Sequence, residues 1–281
     1  LQPAAFLSEA GEERISRFRE RLREAASNPA SVDAVHDLRV AIRRVLAWIA
    51  AWERLVGPHP GLREARASLK KLMTPLGRLR DAHVKRDAVR TNVPIGDRQS
   101  YLYALLVASD VARWERAVRT LLGERWPARI RLRVPKKGPA PEGGAEIAAE
   151  AAGLLEQLEQ DVSKHREEAL DPARPDALHR LRLAFKKYRY SWELFAPLLA
   201  QPVKSTAKRY HAFQTVLGTI HDCDVILREA SSFREYAGVT GGESTLEAAF
   251  RRLREEKLGD LRRMAGTPAR LARIFGRGSR P

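Results

Sequence analysis

The chain repeats itself. VHDLRVAIRR (35–44) aligns without gaps with LHRLRLAFKK (178–187), and LGRLRDAHV (76–84) aligns in the same order with LGTIHDCDV (217–225). Asp33 and Asp176 stand at equivalent places ahead of the first block. Two blocks in one order call for two related structural units, a far tighter restriction than composition gives. The rest of the pattern says what those units are made of. Ala, Leu, Arg and Glu dominate, alternating β-branched runs are nearly absent, and apolar residues recur three and four apart, so the chain is expected to be all-α.

The periodicity predicts helices over about 7–27, 33–56, 61–91, 98–123, 145–170, 175–200, 203–236 and 244–265. Ser31 or Asp33 is the expected cap of the second. Pro75 is expected to kink or break the third. The Pro- and Gly-rich stretch WPARIRLRVPKKGPAPEGG (126–144) reads as a linker holding a short basic extended piece. The expected organisation is a first four-helix unit over 7–124 and a linker over 125–144. A second four-helix unit follows over 145–265, and then a basic, partly ordered tail over 266–281.

Within the repeat, two faces can be told apart. Val35, Leu38, Ile42, Val45, Ile49 and Trp52 form a core-facing stripe, as do Leu178, Leu181, Phe185, Tyr188, Trp192 and Phe195. One step round the helix, His36, Arg39 and Arg43 form a second stripe, matched by His179, Arg182, Lys186 and Arg189. Arg44 and Lys187 add a cation to each helix. At about 1.5 Å per residue, His36 to Arg43 covers roughly 10 Å. A solvated polar face normally alternates sign. These stripes are almost purely cationic and border the apolar seam, which suits a ligand that neutralises them. Lys70 and Arg80, beside the stripe of Leu62, Leu69, Leu72, Leu76 and Leu79, extend the basic surface in the first half. Lys208 and His221, beside Tyr210, Phe213, Leu217 and Ile220, do so in the second. Arg80 aligns with His221, one potential cation with another, and Asp81 aligns with Asp222; an acid there is expected to orient an arginine or cap a helix segment.

The charge balance agrees. The 281 residues carry a formal net charge of +16, which points to a polyanionic partner. The single cysteine, Cys223, rules out an intramolecular disulfide and four-ligand zinc sites built on several cysteines, fits a reducing compartment, and reads as a small packing residue. The opening LQPAAFLSEA has no basic segment and is not expected to be a signal peptide. No run approaches ~18 apolar residues, so no membrane span is expected.

The paired His-x-x-Arg-x-x-x-Arg/Lys blocks, with LGRLRD and LGTIHD downstream, resemble the CHAD domain, the conserved histidine α-helical domain, over about 7–265. The resemblance implies two four-helix bundles related by a pseudo-twofold, with a basic central channel. It implies non-catalytic binding of inorganic polyphosphate and association with cytoplasmic polyphosphate granules, where other granule proteins would be partners. The implied binding set is His36, Arg39, Arg43, Arg44, His179, Arg182, Lys186, Lys187 and Arg189. Family members often carry a further arginine two residues after the paired bases. Here Leu46 stands in that place, while the second half keeps Arg189. No E-x-E-x-K motif of a triphosphate-tunnel domain is present, and no cofactor is expected.

Two other functions compete. His36-Asp37 and His221-Asp222 are dipeptides of the kind that HD phosphohydrolases use to hold divalent metal. Against this, Asp37 aligns with Arg180 and His221 with Arg80, which cannot ligate a metal. A nucleic-acid binder would suit the charge. Its usual motifs are absent, and the aromatics lie on the apolar seams instead of the basic stripes, where bases would stack. Nothing in the chain forms a Ser-His-Asp or Cys-His arrangement, and it is not expected to be an enzyme.

Overall fold

Amphipathic segments this long can bury their stripes only against one another, and they do. The computed structural model describes residues 3–93, 97–123, 130–135, 144–171, 176–198, 203–236 and 244–275. Among them are α1 (Pro3–Ser27), α2 (Val32–Leu55), α3 (Pro60–Asn92), α4 (Arg98–Gly123) and α5 (Gly144–Ala169). Then come α6 (Ala177–Phe195), α7 (Val203–Tyr236), α8 (Thr245–Ala265) and α9 (Pro268–Ile274). There is no strand among the described residues, and none of their helices is long and apolar enough to cross a membrane. Most of the expected linker, and residues 276–281 of the expected tail, lie outside the described residues.

Ser31 caps α2, accepting from the Ala34 N–H at 3.2 Å. α3 runs unbroken through Pro75, so the break that proline suggests does not occur. The carbonyl that loses its partner belongs to Lys71, an exposed residue, where water can take over the bond. The short α9 was missed because a seven-residue basic segment carries little periodicity. It starts at Thr267, whose hydroxyl accepts from the Arg270 N–H.

The chain divides into two compact units, each assembled from three separate stretches. The first unit comprises residues 1–83, 108–154 and 190–199, the second 84–107, 155–189 and 200–281. In the first unit α1 packs along α2. Gly11 allows this close approach, because a Cβ there would lie 2.5 Å from the Trp48 ring. Trp48 is fully buried and its indole N–H donates to the Leu7 carbonyl at 2.7 Å. The predicted stripe of α2 is buried throughout, as are Leu62, Leu69, Leu72, Leu76 and Leu79 of α3. Each such side chain contributes roughly 1.5–3 kcal/mol by leaving water.

In the second unit α7 packs along α8, with α9 against both. Phe185 of α6 meets Phe213 edge-on at 4.7 Å, Phe275 meets Tyr188 at 4.7 Å, and the Tyr188 and Tyr210 hydroxyls share a 2.9 Å hydrogen bond. A neighbouring core gathers Val89, Tyr103, Val107, Ile226, Leu246 and Phe250 around Cys223. Burial pushes the Cys223 thiol up to about 12, so it is a packing residue and no nucleophile at neutral pH.

Candidate anion-binding site

The basic stripe of α2 starts one residue past the buried seam. Leu38 and Ile42 are fully buried, and Arg39 follows them inward with 8% exposure. Arg43 and, from α3, Arg80 are partly exposed around it, and His36 is exposed. Arg39 has its pKa pulled down from 12.5 to about 10. Burial is the first cause and Arg43 the second, with Arg80 adding to it and Asp81 opposing. It is still charged at neutral pH. Its Nη1 is buried with no hydrogen-bond partner, and among the described residues no carboxylate pairs with Arg39, Arg43 or Arg80. Asp81 thus acts on Arg39 through space. His36 is also shifted down, by the protein mass crowding its base and then by Arg80.

Two other candidates of this unit stand apart. Arg44 donates from Nε to Glu193 at 3.1 Å and lines a hollow of about 330 Å³ with Arg14, Arg17, Arg21 and Asp37. Acids balance the charges there: Arg17 pairs with Glu13, and Arg21 with Glu24. Lys70 is exposed on α3, ten residues and about 15 Å along the axis from Arg80.

The second unit builds its cluster on α6 and α7. The rings of His179 and His221 lie 5.0 Å apart, at the wall of a hollow of about 290 Å³ that Asp176, Arg180, Asp224 and Arg228 also line. Burial pulls the His221 pKa down to about 4, helped by Arg182, His179, Lys186 and Arg228. His179 shifts down for the same reasons, burial first and then Arg182 and Lys186. Both imidazoles are therefore neutral at pH 7, surrounded by cations. Arg182 and Lys186 are half-buried, and Lys187 is exposed. Arg189 donates to Gln214 Oε1 at 3.0 Å. Lys208 is exposed on α7, thirteen residues and about 20 Å along the axis from His221.

Sequence reasoning missed Arg228 and Gly77. Arg228 follows His221 by seven residues, two helical turns on one face, and that spacing could have found it. Gly77 sits in the repeated Leu-Gly pair of the second block, but nothing in the pattern says what the missing side chain makes room for. Asp176 opposes the shift of His179, while Asp224 is engaged by Arg254 at 2.6 Å. Among the described residues no three His, Cys, Asp or Glu side chains gather to hold a metal ion. What both clusters offer is several cations in close array, at a cost in self-repulsion that a bound polyanion would remove.

A family model described as CHAD domain matches residues 9–231. The CHAD domain from the plant Ricinus communis has a similar fold, with a TM-score of 0.64 at 20% identity, covering 96% of this chain and 90% of that one. PptA from Streptomyces chartreusis is similar with a TM-score of 0.62 at 15% identity, covering 97% and 99%. No curated protein matches the chain.

Proposed function

The chain belongs to the CHAD domain family, and from that footing we propose that it binds inorganic polyphosphate, without chemistry, through the clusters on α2–α3 and α6–α7. The observation that carries the reading is Arg39. A guanidinium with 8% exposure, beside two further arginines and with no carboxylate pairing any of the three among the described residues, is costly in the free protein. A ligand that supplies negative charge offsets that cost. Arginine forks match phosphate oxygens in pairs, and several cations within two helical turns favour linked phosphates over single ones. The same reading places the protein in the cytoplasm at polyphosphate granules, with other granule proteins as partners.

Calorimetry on the full chain tests this with long-chain polyphosphate, pyrophosphate and orthophosphate, and with single-stranded DNA and RNA at matched phosphate. Affinity should rise with the number of linked phosphates and fall steeply with salt, by analogy with counterion release from nucleic acids. Equal affinity for orthophosphate and long polyphosphate would remove the proposal. Tighter binding of single-stranded nucleic acid would replace it with the rival reading.

A further inference from the structure

Arg39 is buried beside the one place on α3 where the backbone carries no side chain. A Cβ built on Gly77 would lie 2.9 Å from Arg39 Nη1, closer than non-bonded atoms rest. That Nη1 is buried and has no hydrogen-bond partner. Among the described residues no hydrogen bond holds the guanidinium at this nitrogen. The space left by glycine is what lets it lie there. The equivalent glycine of the repeat, Gly218, has no atom within 4 Å of where its Cβ would be. The two glycines align, yet only Gly77 faces an arginine.

We propose that Gly77 is a positioning residue for anion binding: it seats Arg39 at the base of the Arg43–Arg80–His36 cluster, and a side chain at 77 would expel it. This rests on the polyphosphate reading. A buried charge is poorly screened by salt and solvent, so it acts on a nearby anion more strongly than an exposed one. A seated guanidinium also has less rotamer freedom to lose when a phosphate binds. Pushing it outward removes both advantages. The clash is with the tip of a long side chain, so the fold can survive it by moving Arg39. Alanine is also the better helix former, so Gly77→Ala should not lower helix stability by itself.

The test compares Gly77→Ala, Gly218→Ala, Arg39→Ala and the double variant Arg39→Ala/Gly77→Ala in the full chain. Long-chain polyphosphate is titrated calorimetrically, and thermal unfolding is followed by circular dichroism. Gly77→Ala should bind about tenfold more weakly, the scale of one lost charge-assisted contact, with its melting temperature held or raised. Gly218→Ala should bind like the parent. In the Arg39→Ala background, Gly77→Ala should add nothing. Unchanged or tighter binding by Gly77→Ala, or an equal further loss on top of Arg39→Ala, would overturn the proposal. Hydrogen exchange of the Arg39 guanidinium protons, read by NMR without ligand, tests the seating separately. It should be slow in the parent and fast in Gly77→Ala. Fast exchange in both sinks the inference. If exchange behaves as expected but the parent ignores polyphosphate, the polyphosphate reading fails and the seating stands.

Discussion

Asp97 accepts a hydrogen bond from the backbone N–H of Thr245 at 2.9 Å, across 148 residues of chain. The same carboxylate takes the Ser100 N–H and hydroxyl, each at 2.8 Å, so one side chain ties the start of α4 to the start of α8. The Ser100 hydroxyl in turn accepts from the Leu246 N–H.

That junction has a pH signature. Burial raises the Asp97 pKa, but the hydrogen bonds from Thr245 and Ser100 outweigh it and hold the value at about 2, below the usual 3.8. A lowered acid pKa stabilises the fold above the unfolded value and loses that contribution as pH falls through the folded one. Stability should therefore drop between pH ~4 and ~2. Asp97→Ala should cost about 2 kcal/mol near neutrality and flatten the acid limb of the curve. Urea unfolding at several pH values checks both.

Replacing Arg39, Arg43, Arg182 and Lys186 together by Ala should weaken polyphosphate binding strongly while leaving the helical circular dichroism unchanged. Less self-repulsion should hold or raise the melting temperature. The control is Arg252, Arg262, Arg270 and Arg273, four exposed cations on α8 and α9, changed to Ala together. An equal loss in the control would make binding diffuse charge attraction instead of a site.

Leu38 and Leu181 are both fully buried, one on each basic helix. Either one changed to Ala should cost about 2–5 kcal/mol of unfolding free energy, from lost transfer and the cavity left behind. Polyphosphate affinity of the folded fraction should stay at the parent level. Denaturant midpoints and titrations on the same samples separate the two effects.

The histidines act in the same sense as Asp97, in a higher pH window. His221 has its pKa lowered from 6.5 to about 4, with His179 shifted the same way. The unfolded chain gains protons below about 6.5 that the fold refuses, so stability falls from there down to about pH 4. A bound polyanion favours the imidazolium. Binding at pH 5.5 should thus take up protons, seen as a calorimetric heat that changes with the buffer's ionisation enthalpy. His179→Ala/His221→Ala should remove most of that uptake.

The apolar half of this molecule was written plainly in the sequence. Every member of the two stripes led by Val35 and Leu178 is buried, because period alone decides which face leaves water. The cationic half was harder. Arg39, Arg43 and Arg44 look alike as letters, yet one is sunk beneath its neighbours, one is half-exposed, and one is held by Glu193. Those differences arise from residues distant in sequence. A glycine on another helix, or a carboxylate 149 residues away, leaves no mark on local spacing.

The way each unit is stitched from separate stretches bears on how the protein is made. During synthesis α1, α2 and most of α3 emerge early, yet their unit also claims residues 190–199. The second unit begins with residues 84–107 and also claims residues 155–189 and 200–281. Neither is complete while the chain is half translated, so apolar side chains such as Val89, Tyr103 and Val107 must wait for Ile226, Leu246 and Phe250. Contacts spanning so much chain also slow the final search. Cutting this protein between the two halves of its repeat would therefore yield two incomplete fragments.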